Sequence, residues 1–151
     1  MSHSAERQHL IEVARTWLGT KFHDQQGLKG VGVDCAHLLA GVAIEAGVVK
    51  PFEIEPYSPQ FMLHSGDERF IGYVERFAHE IAEADAQPGD IVLYKIGRSY
   101  AHGAIIVEWP KAVIHAFKTY GAVVETEPFE ADLRVARGET KRRDVKFFSL
   151  W

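Results

Sequence analysis

The sequence predicts an α+β domain in which helices come first and an antiparallel sheet comes after them. Three observations carry that expectation. Apolar residues recur at helical spacing over residues 6–18 and again over 34–46, the pattern changes to short β-type runs after Gln87-Pro88-Gly89-Asp90, and no repeat, low-complexity tract or linker divides the chain. With 151 residues, 46% of them hydrophobic, the chain is long enough to bury one core, so a single domain spanning 1–151 is expected.

From Glu6 to Leu18 the positions Leu10, Ile11, Ala14, Trp17 and Leu18 define an amphipathic first helix, with Ser4 as its N-cap and Gly19 as its stop. Residues 19–32 hold four glycines and no periodicity, and read as a loop lying over or beside the next element. A second helix is expected from Asp34 to Ala46, burying Leu38, Leu39, Val42 and Ala43 and ending at Gly47. Val48 to Pro59 reads as an extended connection. The series Glu68, Phe70, Ile71, Val74, Phe77, Ala78, Ile81 then predicts a third helix, capped by Ser65 or Asp67.

The β half begins with Ile91 to Ile96 and continues with Ala104 to Trp109, Ala112 to Phe117 and Ala122 to Thr126. Tight connections at Pro110-Lys111 and Tyr120-Gly121 make these an antiparallel meander, with Val145 to Leu150 as a further strand and a short helix within Pro128 to Gly138.

A net charge of −4, with basic residues interspersed among acidic ones, offers no field for nucleic acid or an anionic membrane surface. The single cysteine cannot form an internal disulfide, so the fold is not tied to an oxidising compartment. Residues 1–7 lack the apolar run of a secretory signal and no later stretch is long enough to span a bilayer, so the chain is expected to be cytoplasmic when synthesised.

That cysteine, Cys35, falls at the start of the second helix. The unpaired N–H groups and positive dipole end of a helix favour an anion, so a thiol placed there is expected to ionise more readily than a free one. A nucleophilic thiol needs a base, and two histidines on consecutive predicted strands, His102 and His115, supply a proton acceptor and a group to orient it. Each residue has a blander reading. A cysteine ahead of an apolar stripe is commonly a small buried hydrophobe, and a histidine among Val, Ile, Ala and Phe is commonly a hydrogen-bonded core residue. A metal site built from Asp34, Cys35, His102 and His115 is disfavoured, because no Cys-x-x-Cys or paired-histidine spacing accompanies them. The glycines before Cys35 lack the Gly-Lys-Ser/Thr ending of a phosphate cradle, and no cofactor is expected.

Taken in order, Trp17-Leu18-Gly19-Thr20-Lys21-Phe22, Val33-Asp34-Cys35-Ala36-His37-Leu38-Leu39, Pro88-Gly89-Asp90-Ile91-Val92-Leu93-Tyr94, Ala101-His102-Gly103-Ala104-Ile105 and Val113-Ile114-His115-Ala116 resemble the NlpC-type cysteine peptidases of bacterial cell-wall turnover. The resemblance spans Glu6 to Phe117. It implies a papain-like core, cleavage of amide bonds in peptidoglycan stem peptides through an acyl-enzyme, and Cys35, His102 and His115 as nucleophile, base and third polar member. It also implies substrate contacts around Asp34, Phe22, Ala36 and His37. Here the chain departs from the family pattern, which has tyrosine at the position of Phe22 and commonly Ser-Gly where Ala36-His37 stand; the departures bear on specificity and leave the triad intact. Compact relatives occur among phage-tail and prophage proteins, which makes phage-tail partners and delivery to the wall without a signal peptide a further expectation. Two other functions share these residues: a non-catalytic assembly module, and an acyltransferase or amidase on a non-wall substrate.

Overall fold

The computed structural model describes residues 3–52, 68–134 and 142–151. The predicted cap at Ser65 or Asp67, most of the connection up to Pro59 and the end of the segment up to Gly138 lie outside these residues.

The first helix, α1 (Ser4–Arg15), buries Leu10, Ile11 and Ala14 as its spacing requires. Its N-cap is His3 rather than Ser4, because the Arg7 amide donates to the His3 carbonyl at 2.8 Å and closes the first turn one residue early. Residues 16–19 leave the helix as turns, ending at Gly19 with φ +88°. Trp17 is buried nonetheless, at 4% exposure. Its ring fills the space where a Cβ on Gly41 would stand, 2.7 Å away, so only glycine lets the next helix approach so closely.

That helix, α2 (Cys35–Glu45), matches its expected span. Asp34 is the N-cap, its side chain accepting from the His37 amide, and Gly47 at φ +77° follows the C-cap Ala46. Leu38, Leu39, Val42 and Ala43 are buried.

Two expectations about the connecting segments change. The glycine-bearing loop contains a short hairpin, β1 (Gly27–Leu28) against β2 (Gly32–Val33). The third helix, α3 (Arg69–Val74), stops well before Ile81, and residues 79–81 instead form the edge strand β3 (His79–Ile81). Helical periodicity persisted there because a short strand contributes only one apolar position to the pattern.

The main sheet has six antiparallel strands in the order β3-β8-β4-β5-β6-β7, where β4 is Ile91–Ile96, β5 Ser99–Glu108, β6 Ala112–Phe117, β7 Ala122–Thr126 and β8 Val145–Ser149. The meander from β4 to β7 is as expected, and β5 starts earlier than its apolar run. In the described part of the segment from Pro128, Ala131–Leu133 forms a single 3₁₀ turn. One face of the sheet packs on α1, α2 and α3 through Leu93, Ile105, Ile114 and Phe148. The other gathers Val92, Tyr94, Ile106, Phe117 and Phe147. Among the described residues no helix is long and apolar enough to cross a membrane.

A buried ion pair ties the two halves together. Arg7 of α1 donates to Asp90 at 2.7 Å and to the Pro88 carbonyl at 3.0 Å, and its guanidinium lies 4.6 Å from the Trp151 ring centroid. The second Asp90 oxygen accepts from the Gln87 amide at 2.9 Å, so the turn before β4 is locked to the first helix. Arg7→Met strands a carboxylate that is 1% exposed, and urea unfolding should show a loss of about 3–5 kcal/mol. A loss below about 1 kcal/mol would show that the pair is solvated.

Candidate active site

Cys35 is the first residue of α2 and is 7% exposed. Its sulfur meets the middle of β5 at the backbone on either side of His102. The thiol donates to the Ala101 carbonyl at 3.8 Å, and the Gly103 amide and the first amides of α2 direct their N–H groups at the sulfur. A Cβ on Gly103 would lie 2.8 Å from Leu39 and 2.9 Å from Leu93, so glycine here lets α2 seat against the strand. The β4–β5 ladder pairs Tyr94 with His102 but Lys95 with Tyr100, which makes Ala101 an extra residue. Such a bulge breaks the side-chain alternation of the strand next to His102.

The two histidines come together. His102 Nε2 and His115 Nδ1 are 2.8 Å apart, and His115 Nε2 is 2.9 Å from Thr126 Oγ1. They are diagonal across β5 and β6, since Ile105 pairs with Ile114 and Ile106 with Val113. The His102 ring is packed between Tyr94 and Phe117, with centroids 5.6 Å and 5.0 Å away. Both of these aromatics belong to the core on the sheet face away from the helices, whereas Cys35 belongs to the helix-side core. The structure therefore unites His102 with His115 and sets the thiol at the strand's backbone beside them, hydrogen-bonded to a carbonyl rather than to an imidazole.

The electrostatics correct one expectation. The thiol is pushed up, not down: burial is the largest cause, the neighbouring Asp34 carboxylate adds to it, and the Gly103, Ala36 and Cys35 amides offset only part. Burial, with the positive form of His115 as a second cause, holds His102 well below the usual histidine value. His115 is lowered to about 4 by burial, partly opposed by Glu130. The resting site thus holds a neutral thiol and neutral imidazoles.

The residues around Cys35 are firmly engaged. Asp34 uses Oδ1 for the His37 amide and ring, at 2.9 and 2.7 Å, and Oδ2 for the Gln25 amide at 2.9 Å. Its structural role is to cap α2 and anchor the preceding loop. Ala36 is 4% exposed and packed in the helix-side core, so its methyl group does not project into an open groove. The His37 ring lies against Gly27 of the small hairpin, where a Cβ would be 2.8 Å away. Phe22 packs partly buried against the core, with its amide donating to Gly121 at 2.9 Å. Thr126 escaped the sequence reading, because only the β6–β7 register, with Val113 opposite Thr126, brings it to His115. Among the described residues no cluster of His, Cys, Asp or Glu is arranged to hold a metal ion.

Fold and side chains together define a thiol-and-imidazole site on an α+β scaffold. No protein-family model matches the chain, and no curated protein matches it in sequence. Solved structures do. The chain is similar to the NlpC/p60 domain of the peptidoglycan hydrolase SagA, at 17% identity and a TM-score of 0.58 over 80% of this chain and 88% of that one. It is also similar to the peptidoglycan hydrolase RipB from Mycobacterium tuberculosis, at 16% identity and a TM-score of 0.60 over 99% of this chain and 68% of that one. A third similar structure, RipD from the same organism, is described as a non-catalytic NlpC/p60 domain protein adapted to peptidoglycan binding; identity is 12% and the TM-score 0.60 over 97% and 98% of the two chains. What is shared at these identities is the fold, and this chain has the NlpC/p60 fold.

Proposed function

We propose that this protein is a cysteine peptidase or amidase that hydrolyses amide bonds in peptidoglycan stem peptides. The observation that carries the reading is the His102–His115 pair, bonded at 2.8 Å beside the helix-start thiol, on a fold whose solved neighbours include peptidoglycan hydrolases. In this reading Cys35 Sγ attacks the peptide carbonyl while its proton passes to His102 Nδ1, the ring nitrogen not bonded to His115. The developing oxyanion meets the Cys35 and Ala36 amides, which point at the sulfur at rest, the leaving amine takes the proton from His102, and water then releases the acyl group by the same route. Because thiol and imidazole are both neutral at rest, proton transfer accompanies attack, and the Ala101 hydrogen bond must be exchanged for one to His102.

A second reading has its own support. The thiol is bonded to the Ala101 carbonyl at 3.8 Å, burial opposes its ionisation, and one solved neighbour is described as non-catalytic and peptidoglycan-binding. A binding module would retain the fold and lack turnover. Incubating the protein with purified peptidoglycan and sequencing the released fragments by mass spectrometry decides between them. New amino and carboxyl termini within the stem peptide are expected; binding to sacculi without any new terminus would favour the module, and cleavage of other amides alone would point to a non-wall acyl substrate.

A further inference from the structure

We propose that Thr126 is a positioning residue of this site, the last member of a one-way hydrogen-bond chain that keeps the lone pair of His102 on Nδ1. The proposal rests on Cys35 and His102 acting as nucleophile and base, and it names the group that sets the base's tautomer.

The arrangement that makes every bond of the chain is found by working from the threonine inward. Thr126 Oγ1 donates its only proton to the Glu127 carbonyl at 2.9 Å. The hydroxyl oxygen is then an acceptor for its other neighbour, so the contact of 2.9 Å with His115 Nε2 requires that nitrogen to carry a proton. A neutral imidazole has one N–H, which leaves His115 Nδ1 as an acceptor. The 2.8 Å contact between His115 Nδ1 and His102 Nε2 must therefore be donated by His102. The one remaining nitrogen of His102, Nδ1, holds a lone pair and can take a thiol proton.

The opposite arrangement loses a bond at the threonine. With the proton on His115 Nδ1, its Nε2 lone pair faces the hydroxyl oxygen of Thr126, which must turn its proton away from the Glu127 carbonyl to keep the contact. That arrangement forfeits the 2.9 Å bond between Thr126 and the Glu127 carbonyl, which the first arrangement keeps together with every other bond of the chain. It would also place a proton on His102 Nδ1 and leave the thiol without a base. A side chain at the end of β7, far along the chain from the cysteine, thus biases the base towards its working form.

The test compares Thr126→Val, which keeps the shape and β-branching but removes the hydroxyl, with Thr126→Ser, which restores it. In the wild-type chain labelled with ¹⁵N-histidine, ring-nitrogen chemical shifts should show His102 protonated on Nε2 and bare on Nδ1. Thr126→Val should mix the tautomers and lower kcat for wall-fragment cleavage roughly tenfold to hundredfold with KM little changed, part of the 10²–10⁴ that general base catalysis supplies. Thr126→Ser should recover both signals. Wild-type His102 carrying its proton on Nδ1, or unchanged tautomers and kcat in Thr126→Val, overturns the proposal. The shifts are read on wild-type protein, so folding of the valine variant is not required. They also decide the tautomer if the wild type cleaves nothing, an outcome that sinks the hydrolase reading separately.

Discussion

Replacing Cys35 by alanine is expected to end peptidoglycan cleavage, lowering the rate by at least about 10³-fold, with any residual rate coming from binding and the oxyanion donors alone. The substitution is well suited to the question because it changes little else. Cys35 packs in the helix-side core, and losing one sulfur costs about 1 kcal/mol in fold stability, too little to unfold a domain of this size. The bonds lost with the thiol are weak sulfur ones: its 3.8 Å contact to the Ala101 carbonyl and the Gly103, Ala36 and Cys35 amides that point at it. An intact thermal transition with no released fragments is the predicted outcome. Full activity in Cys35→Ala would remove the acyl-enzyme from the mechanism and leave the histidines to be explained in another way.

Acidification is expected to destabilise the protein well before its ordinary carboxylates titrate. An unfolded histidine binds a proton near pH 6.5, whereas folded His115 does so only at about 4. Between those values the unfolded chain holds more protons than the native one, so stability is retained above the window and lost as pH falls through it. The difference amounts to roughly 3 kcal/mol for His115 near pH 4, and His102, lowered for the same reason, acts in the same direction. Urea midpoints measured from pH 7 to 4.5 should fall steeply in the wild type and more gently in His115→Asn. A flat wild-type profile would mean that protons reach the imidazoles in the folded state.

Much of this architecture is written locally. Helix α2 is legible to within a residue at each end because its signals are local: a continuous apolar stripe and a glycine at the left-handed position just past its end. The meander β4 to β7 is legible for the same reason, since each strand ends in its own turn. The insertion of β8 between β3 and β4 is not, because it depends on contacts between segments distant in the chain. The catalytic candidates divide in a similar way. Cys35, His102 and His115 could be named from residue type and order, but the depth of burial that keeps the thiol and imidazoles neutral depends on the whole core. Thr126 carries no mark in the sequence beyond closing a β-type run; the register of two strands gives it a partner.

The contact of Arg7 with Trp151 belongs to a larger meeting of residues at one corner. The His3 and Trp151 rings lie 6.1 Å apart and Trp151 donates to Glu6 at 2.8 Å. Anything fused before residue 3 or after residue 151 therefore departs from the same place on the surface. For engineering, a crosslink between residues 3 and 151 would join the start of α1 to the segment that follows β8 at this corner.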